Sequence, residues 1–320
     1  MESSSGKQNS LLEGLTPEDA DILKNQTSQE KKEIYIFLSF DLVGSTKLKT
    51  EQKTSESWPD IILKFYEMVK SEMENKIPQI SVWKYLGDEV LLYVSIEDMN
   101  SDSVVYSMPQ TVFDVQKKIS EDIKDVFKNY ELSDLFIKST IWIAGVKSVE
   151  SKKINTEECS NLPSDKVYGN RKITLGRGNL TDFVGPDMDI GFRIAKFAYK
   201  KKVVISANFA YLLYSMSKPK GMKKIDNSMK IVSFEILKGV WNGGYYPIIW
   251  YYTDWKCVED SFFYSDYKEN ELVDNVLAKK ICHIGILEQV WNKLKKTEVM
   301  DNFVEECVKK ISLKTKKIQK

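Results

Sequence analysis

The stretch SFDLVGSTKL, residues 39–48, joins an apolar run to a turn of small polar residues. Its acid, Asp41, follows IYIFLSF (34–40), a run typical of a buried strand. A carboxylate at the end of such a strand is costly unless a positive group meets it. The Gly-Ser-Thr turn at 44–46 suits backbone N–H groups that gather around phosphate. The stretch therefore predicts a strand that carries an acid toward a cation, beside a turn that suits phosphate; the alternative is an aspartate that only forms the turn or caps a helix.

Composition limits the chemistry and the partners. The chain has 320 residues, and 47 basic against 46 acidic side chains leave a net charge of +1, which gives no reason to expect a nucleic-acid partner. The single histidine, His283, argues against a histidine triad or a histidine-rich metal site. Four cysteines form no C-x-x-C pair and are interpreted as reduced thiols. With no signal-like N-terminus and no apolar run of about eighteen residues, we expect a cytoplasmic protein without a membrane partner.

Strand-like and helix-like segments alternate after residue 33, which predicts an α/β or α+β fold. The expected segments are a strand at 34–40, a helix at 55–76, strands at 80–86 and 89–96, a helix at 109–130, strands at 135–146 and 180–185, a helix at 189–200, a strand turning into a helix over 203–216, and strands at 231–240 and 245–252.

The organisation predicted from composition has three parts. Residues 1–32 are polar and are interpreted as a flexible arm, and residues 33–255 as one domain. An insertion at about 147–181, too long for an ordinary loop, is expected to contain a hairpin. Residues 256–320 are predicted to form a helical extension, and the six lysines of 309–320 are interpreted as a solvated helix end rather than a nucleic-acid contact.

A second acid lies in the turn of the predicted hairpin. Asp88 follows Gly87 there, and the helix at 55–76 separates this hairpin from the first strand. A strand–helix–hairpin unit can place the first strand beside the hairpin, so that Asp41 and Asp88 arrive at one end of a sheet. Two carboxylates without histidine suggest Mg²⁺ or Mn²⁺, and such ions suggest phosphoryl or nucleotidyl chemistry.

Three motifs in this order resemble the class III nucleotidyl cyclases. They are DLVGSTKL (41–48), KYLGD (84–88) and, as a partial match, DFVGPDMDIGFR (182–193). The resemblance spans residues 34–252. It implies an α+β cyclase domain with a ferredoxin-like βαββαβ core, a central and mostly antiparallel sheet and flanking helices, here followed by the helical tail.

The resemblance also implies roles for particular residues. Asp41 and Asp88 would bind two divalent cations, Mn²⁺ or Mg²⁺, with help from the backbone carbonyl of Leu42. Ser45 and Thr46 would wrap the triphosphate of a nucleoside triphosphate substrate.

Base and transition-state contacts are implied for a second group. Lys84 and Asp182 would contact the base, and Arg193 would stabilise charge that develops on the phosphate. Asp189 stands where the family has a ribose-orienting asparagine, and Lys238 is a candidate phosphate-binding lysine. Because the family shares each site between two chains, the resemblance implies a homodimer with two composite sites.

Asp189 sets this chain apart from an ordinary purine cyclase. The helix entry DIGFRIAKF (189–197) and the insertion before it resemble instead the bacterial pyrimidine cyclases of the Pycsar antiphage system. The expected activity is conversion of UTP, or of CTP, to 3′,5′-cyclic UMP or cyclic CMP and diphosphate. The cyclic nucleotide would be the link to a downstream effector. Hydrogen-bond patterns at Lys84 and Asp182 do not exclude ATP, so an adenylate cyclase is the alternative.

A third hypothesis belongs to another class. A catalytically inactive cyclase-like domain would bind a nucleotide or dimerise without turning anything over. The presence of Asp41, Asp88 and Arg193 together favours an active enzyme, because loss of a metal-binding acid is the obvious way for such a site to decay.

Overall fold

The computed structural model describes residues 32–50, 58–99, 101–127, 135–149, 170–175, 180–199, 202–217 and 228–251. The strands are β1 Lys32–Val43, β2 Ser81–Leu86, β3 Glu89–Ser95, β4 Phe136–Val149, β5 Asn170–Leu175, β6 Leu180–Val184, β7 Val203–Ile205, β8 Met229–Ile236 and β9 Tyr245–Tyr251. The helices are α1 Ser45–Thr50, α2 Trp58–Lys76, α3 Asp102–Val126, α4 Pro186–Ala195 and α5 Ala207–Ser217, with a 3₁₀ turn at Trp241–Gly243.

Strand β1 shows the two-residue alternation that builds the domain. Its even-numbered residues from Ile34 to Leu42 are fully buried in the main hydrophobic core. Its odd-numbered residues lie on the other face, where Tyr35 and Phe37 are buried among aromatic rings and Asp41 is partly exposed. Successive side chains of a strand point to opposite faces of its sheet, so one strand supports both a core and a site.

The strands form one sheet in the order β2-β3-β1-β4-β7-β9-β8, and the hairpin β5/β6 joins it through β4. Neighbours pair antiparallel in β1/β3, β2/β3, β5/β6, β7/β9 and β8/β9, and parallel in β4/β5 and β4/β7. The order β2-β3-β1-β4, with α2 between β1 and β2 and α3 between β3 and β4, is the βαββαβ arrangement. The predicted fold class, α+β with a mostly antiparallel sheet and flanking helices, is confirmed.

The two faces of this sheet are covered differently. Helices α2 and α3 bury apolar residues such as Phe65 and Ile119 in the main core on one face. The opposite face carries a second, aromatic cluster, which includes Trp83, Trp142 and Phe183. Helix α4 contributes Met188 to this cluster, so α4 lies on the face that carries Asp41.

Three helices differ from the prediction. Helix α3 begins at Asp102 rather than near 109, since apolar residues on both sides of Pro109 are buried and their packing outweighs the hydrogen bond that proline removes. Helix α4 occupies 186–195 rather than 189–200, because Gly185 has a φ of 139° and Pro186 suits a first helical turn. Helix α1, which was not predicted, is anchored by buried Leu48.

Strands β5 and β6 form a hairpin in which β5 lies within the predicted insertion and β6 is the strand predicted at 180–185, and residues 150–169 of the insertion lie outside the described residues. The predicted arm at 1–31 and the predicted tail at 256–320 also lie outside them, and the domain boundaries stay predictions. None of the helices described is both long and apolar enough to cross a membrane.

Candidate functional site

The structure brings Asp41 and Asp88 to the same end of the sheet. Asp41 is registered opposite Glu89 on β3, and Asp88 lies in the turn between β2 and β3. The turn is fixed to β1, because the backbone N–H of Leu42 donates to the carbonyl of Asp88 at 3.0 Å. The hydroxyl of Ser45 donates to the Asp88 carboxylate. The carboxylates of Asp41, Asp88 and Glu89 therefore lie near one another at the end of β1.

A lysine from β4 offsets part of this negative charge. Lys138 Nζ lies 2.8 Å from Asp41 Oδ2, and both side chains are about three-quarters buried, with exposures of 24% and 26%. Burial raises the pKa of Asp41 above its usual 3.8, and the nearby charge of Asp88 adds to this, whereas Lys138 opposes it. Burial likewise raises the pKa of Glu89, against a hydrogen bond from Ser39. Burial therefore disfavours the charged forms of both Asp41 and Glu89 at this end of the sheet.

Hard divalent cations suit this set of donors. Asp41, Asp88 and the carbonyl of Leu42 would supply only oxygen ligands, which Mg²⁺ and Mn²⁺ prefer. Within the ranges described above, no three His, Cys, Asp or Glu side chains form a ready-made metal group. The chemistry of the donors and the raised pKa of Asp41 fit a cation at this place, with Lys138 as the positive group that the chain itself provides.

The Gly-Ser-Thr turn at 44–46, where phosphate contacts were predicted, makes hydrogen bonds within the chain. Gly44 has a φ of 91°, a conformation that favours glycine, and α1 begins at the next residue. Ser45 is buried, and its hydroxyl is engaged by Asp88. Thr46 is exposed, and its carbonyl accepts a hydrogen bond from Thr50 at 3.1 Å. Ser45 thus supports the hairpin turn, while Thr46 is open to solvent.

Lys84 and Asp182, the two candidate base-contacting residues, meet in the structure. Lys84 Nζ lies 2.6 Å from Asp182 Oδ1, although 98 positions separate them in the chain. Trp83 Nε1 donates to the same oxygen at 3.0 Å. Burial alone would raise the pKa of Asp182, but hydrogen bonds from Lys84, from the N–H of Phe183 and from Trp83 outweigh it and hold the pKa below 3.8. Asp182 is therefore a stable carboxylate at one side of the aromatic face.

Arg193 and Lys238 lie on neighbouring segments. A Cβ built on Gly239 would lie 3.9 Å from Arg193 Nη2, so the guanidinium is next to the turn that carries Lys238. Arg193 Nε is buried and, within the described parts of the chain, has no hydrogen-bond partner. Lys238 is exposed, and so is Asp189 in the first turn of α4. Among the described residues, no hydrogen bond or ion pair joins Arg193 to Asp41.

Sequence reasoning missed three residues of this region. Glu89 directly follows Asp88, and the antiparallel register that brings it opposite Asp41 is a tertiary property. Lys138 interrupts LFIKSTIWIAGV, and the alternation of buried Leu135 and Ile137 around it is the signal that could have assigned it to the acid face. Trp83 carried no signal of its own, since a tryptophan in a strand usually indicates core.

Comparison with known proteins finds no matching family model and no matching curated protein. Solved structures of nucleotide cyclases are similar. The adenylyl cyclase CyaB from P. aeruginosa is 12% identical over 69% of this chain and 94% of that chain, with a TM-score of 0.48. The guanylate cyclase domain of RhGC from Catenaria anguillulae is 15% identical over 70% of this chain and 98% of that chain, with a TM-score of 0.40. An adenylate cyclase from Trypanosoma brucei, analysed in its monomeric state, is 10% identical over 68% of this chain and 89% of that chain, with a TM-score of 0.44.

Proposed function

We propose that this protein is a metal-dependent nucleotidyl cyclase that converts UTP, or CTP, to the 3′,5′-cyclic nucleotide and diphosphate. The observation that carries the proposal is the pair of clusters on one sheet: Asp41 and Asp88 at the end of β1, and Lys84 with Asp182 beside the aromatic face. The first cluster suits a cation and phosphates, and the second suits the hydrogen-bonding edge of a base.

The chain's own residues would position a nucleoside triphosphate for an intramolecular reaction. The ribose 3′-oxygen forms a bond to the α-phosphorus, the bond from that phosphorus to the bridging oxygen of diphosphate breaks, and the hydroxyl proton passes to solvent. Divalent cations held by Asp41, Asp88 and the Leu42 carbonyl would lower the pKa of the 3′-hydroxyl and neutralise the departing phosphates. Lys238 would contact phosphate, as would Thr46, while Ser45 holds Asp88 in place.

In this proposal, the positive charge of Arg193 stabilises the negative charge that develops on the phosphate in the transition state. Its Nε is buried without a hydrogen-bond partner in the described structure, and its Nη groups, next to the turn that carries Lys238, would donate to a phosphate. Asp189, exposed on the same helix, would accept a hydrogen bond from a ribose hydroxyl where an amide would donate one. Following the composite sites that the family resemblance implies, we place Arg193 opposite the acids of a second copy.

The preference for a pyrimidine is the more specific part of the proposal. Lys84 can donate while Asp182 accepts, which fits N3 and N4 of cytosine or O4 and N3 of uracil. The same pattern fits adenine, so adenylate cyclase is the second candidate. A cyclic pyrimidine nucleotide would act as a messenger in antiphage defence, read by a separate effector.

Product analysis tests the proposal. The purified protein is incubated with Mn²⁺ and separately with ATP, GTP, CTP and UTP, and the products are compared with cyclic standards by chromatography. Asp41→Ala should abolish turnover, whereas Asp60→Ala, which removes an exposed acid of α2 that has no role in the proposal, should retain it. Cyclic UMP or cyclic CMP supports the pyrimidine assignment, and cyclic AMP as the preferred product replaces it with the adenylate cyclase. If no nucleotide is cyclised, the inactive-domain hypothesis takes its place.

A further inference from the structure

An irregularity in β2 lies beside the Lys84–Asp182 pair. The pairing of β2 with β3 shifts by one residue between Val82 and Lys84, so Trp83 is an extra residue in the strand. In a regular strand, adjacent side chains point to opposite faces, but a bulge re-aims one of them. Trp83 and Lys84 consequently both contact Asp182, although they are consecutive in sequence.

Trp83 contacts both members of the pair. Its Nε1 donates to Asp182 Oδ1 at 3.0 Å, and Lys84 Nζ lies 4.4 Å from the centroid of its ring, within the range of a cation–π interaction. The indole is only 8% exposed. Phe37 and Phe183 meet it edge-on, with centroid separations of 5.5 and 5.3 Å. The indole is therefore a rigid support for one lysine and one carboxylate.

The hydrogen bonds to Asp182 leave one of its oxygens for a ligand. Oδ1 accepts from Trp83, from Lys84 at 2.6 Å and from the N–H of Phe183 at 2.9 Å. Within the described residues, Oδ2 accepts from no donor. The carboxylate is thus held with Oδ2 as the acceptor that remains, at a fixed place relative to the Lys84 ammonium.

We infer that Trp83 is a positioning residue for base selection, an inference that rests on the proposed cyclase function. Amino bases, cytosine and adenine, have their donor outside the ring and their acceptor in the ring. Keto bases, uracil and guanine, have the acceptor outside and the donor in the ring. A rigid arrangement of Lys84 and Asp182 Oδ2 distinguishes these two classes, and a loose arrangement accepts both. Lys84 and Asp182 do not distinguish purines from pyrimidines, because both ring sizes present the same donor and acceptor pattern.

Trp83→Phe tests the inference, because it retains an aromatic ring and removes the N–H. We measure kcat/KM with Mn²⁺ for ATP, GTP, CTP and UTP. The ratio between keto and amino bases of equal ring size, UTP against CTP and GTP against ATP, should move toward one by about tenfold from whichever class the unmodified protein prefers, the effect of one lost hydrogen bond to a charged group. The ratios within a class, ATP against CTP and GTP against UTP, should stay as in the unmodified protein.

Trp142→Phe is the matched control. Trp142 belongs to the same aromatic cluster, but its Nε1 is buried with no hydrogen-bond partner in the described structure, so its loss should leave both kinds of ratio unchanged. If Trp83→Phe does not fold, as judged by circular dichroism, 3-benzothienylalanine at position 83 preserves the bicyclic ring without the N–H.

The outcomes separate this inference from the proposed function. An equal fall of kcat/KM for all four nucleotides, or a keto-to-amino ratio near one in the unmodified protein, overturns the role of Trp83 and leaves the cyclase standing. If the unmodified protein turns over none of them, the proposed function fails. In that case the keto-to-amino ratios are calculated from the Kd values of the four nucleotides for the unmodified protein and for Trp83→Phe. If no nucleotide binds, the inference is overturned as well.

Discussion

At the scale of single residues, Lys138 is the group that makes the acid end of the sheet compatible with folding. Burial raises the pKa of Asp41, which means that the fold disfavours its charge, and Lys138 at 2.8 Å is the nearest compensation. A cation bound by Asp41 would compensate the same charge. Lys138 and the proposed metal ion would therefore each offset the negative charge of the partly buried Asp41 carboxylate.

Lys138→Met removes this compensation and leaves a side chain of similar length. In EDTA we expect the free energy of unfolding, measured with urea, to fall by about 2 kcal/mol, because a partly buried carboxylate loses its charged partner. Added Mn²⁺ should stabilise the variant more than the unmodified protein. Lys118→Met removes a lysine from an exposed ion-pair cluster and should change little in either condition. Equal stabilisation of both proteins by Mn²⁺ would show that the cation does not replace Lys138.

Asp182 offers a pH test at the same scale. Its pKa in the folded protein lies below the usual 3.8, so its charged form stabilises the fold. That contribution is complete above about pH 4 and is lost as the pH falls through the lowered pKa. Asp182→Asn should therefore lower Tm at pH 7 and lower it less as the pH falls through the lowered pKa of Asp182, whereas Asp60→Asn should have little effect at any of these pH values. A drop in Tm of the same size at every pH would point to a packing defect instead.

At the scale of elements, Gly191 allows α4 to pack closely against Trp142 of β4. A Cβ built on Gly191 would lie 2.4 Å from two ring atoms of Trp142, closer than non-bonded carbons approach. The N-terminus of the helix is held from the other side, since Asn170 donates to the Asp187 carboxylate at 2.7 Å and accepts from its N–H at 2.9 Å. Both contacts determine where Arg193, two residues after Gly191, is presented.

Gly191→Ala should lower stability although alanine is the better helix former. We expect a loss of about 1–3 kcal/mol from the forced contact with Trp142, against a gain of about 1 kcal/mol in helix propensity. In a Trp142→Leu background the same substitution should cost less, which a double-mutant cycle by urea unfolding measures. The single variant should also lower kcat, because α4 carries Arg193. Additivity in the cycle would mean that the ring does not oppose the new methyl group.

The elements also show what a sequence can predict. β1 and the β2/β3 hairpin were predicted because strong alternation and a Gly-Asp turn are local signals. The start of α3 was mispredicted because burial of Val105 and Met108 overrides the local effect of Pro109. The bulge at Trp83 and the ion pair of Lys138 depend on partners in other strands, and no local pattern carries that information. Asp41, Asp88, Lys84 and Asp182 were named from motifs, and the structure groups them in two pairs.

At the scale of the whole molecule, the proposed homodimer would place a second copy of the chain against the surface beside the Lys84–Asp182 pair. Phe192 and Val184 are exposed there at 39% and 43%, and the ring of Phe192 is 6.1 Å from that of Trp83. Contiguous exposed apolar patches are typical of interfaces, and these two residues lie next to the pair that is proposed to contact the base. If two copies meet on this face, each site would combine the acids of one chain with the base-contacting pair and arginine of the other.

Mixing two inactive variants tests this arrangement. Asp41→Ala and Arg193→Ala damage opposite halves of a composite site, so a heterodimer of the two retains one intact site. Random exchange at equal concentrations should restore about a quarter of the unmodified activity, since half of the dimers are mixed and each has one of two sites. A mixture of Asp41→Ala with Asp88→Ala, which damage the same half, should restore none. Sedimentation establishes that each variant dimerises, and dimers that exchange without recovering activity would place the complete site within one chain.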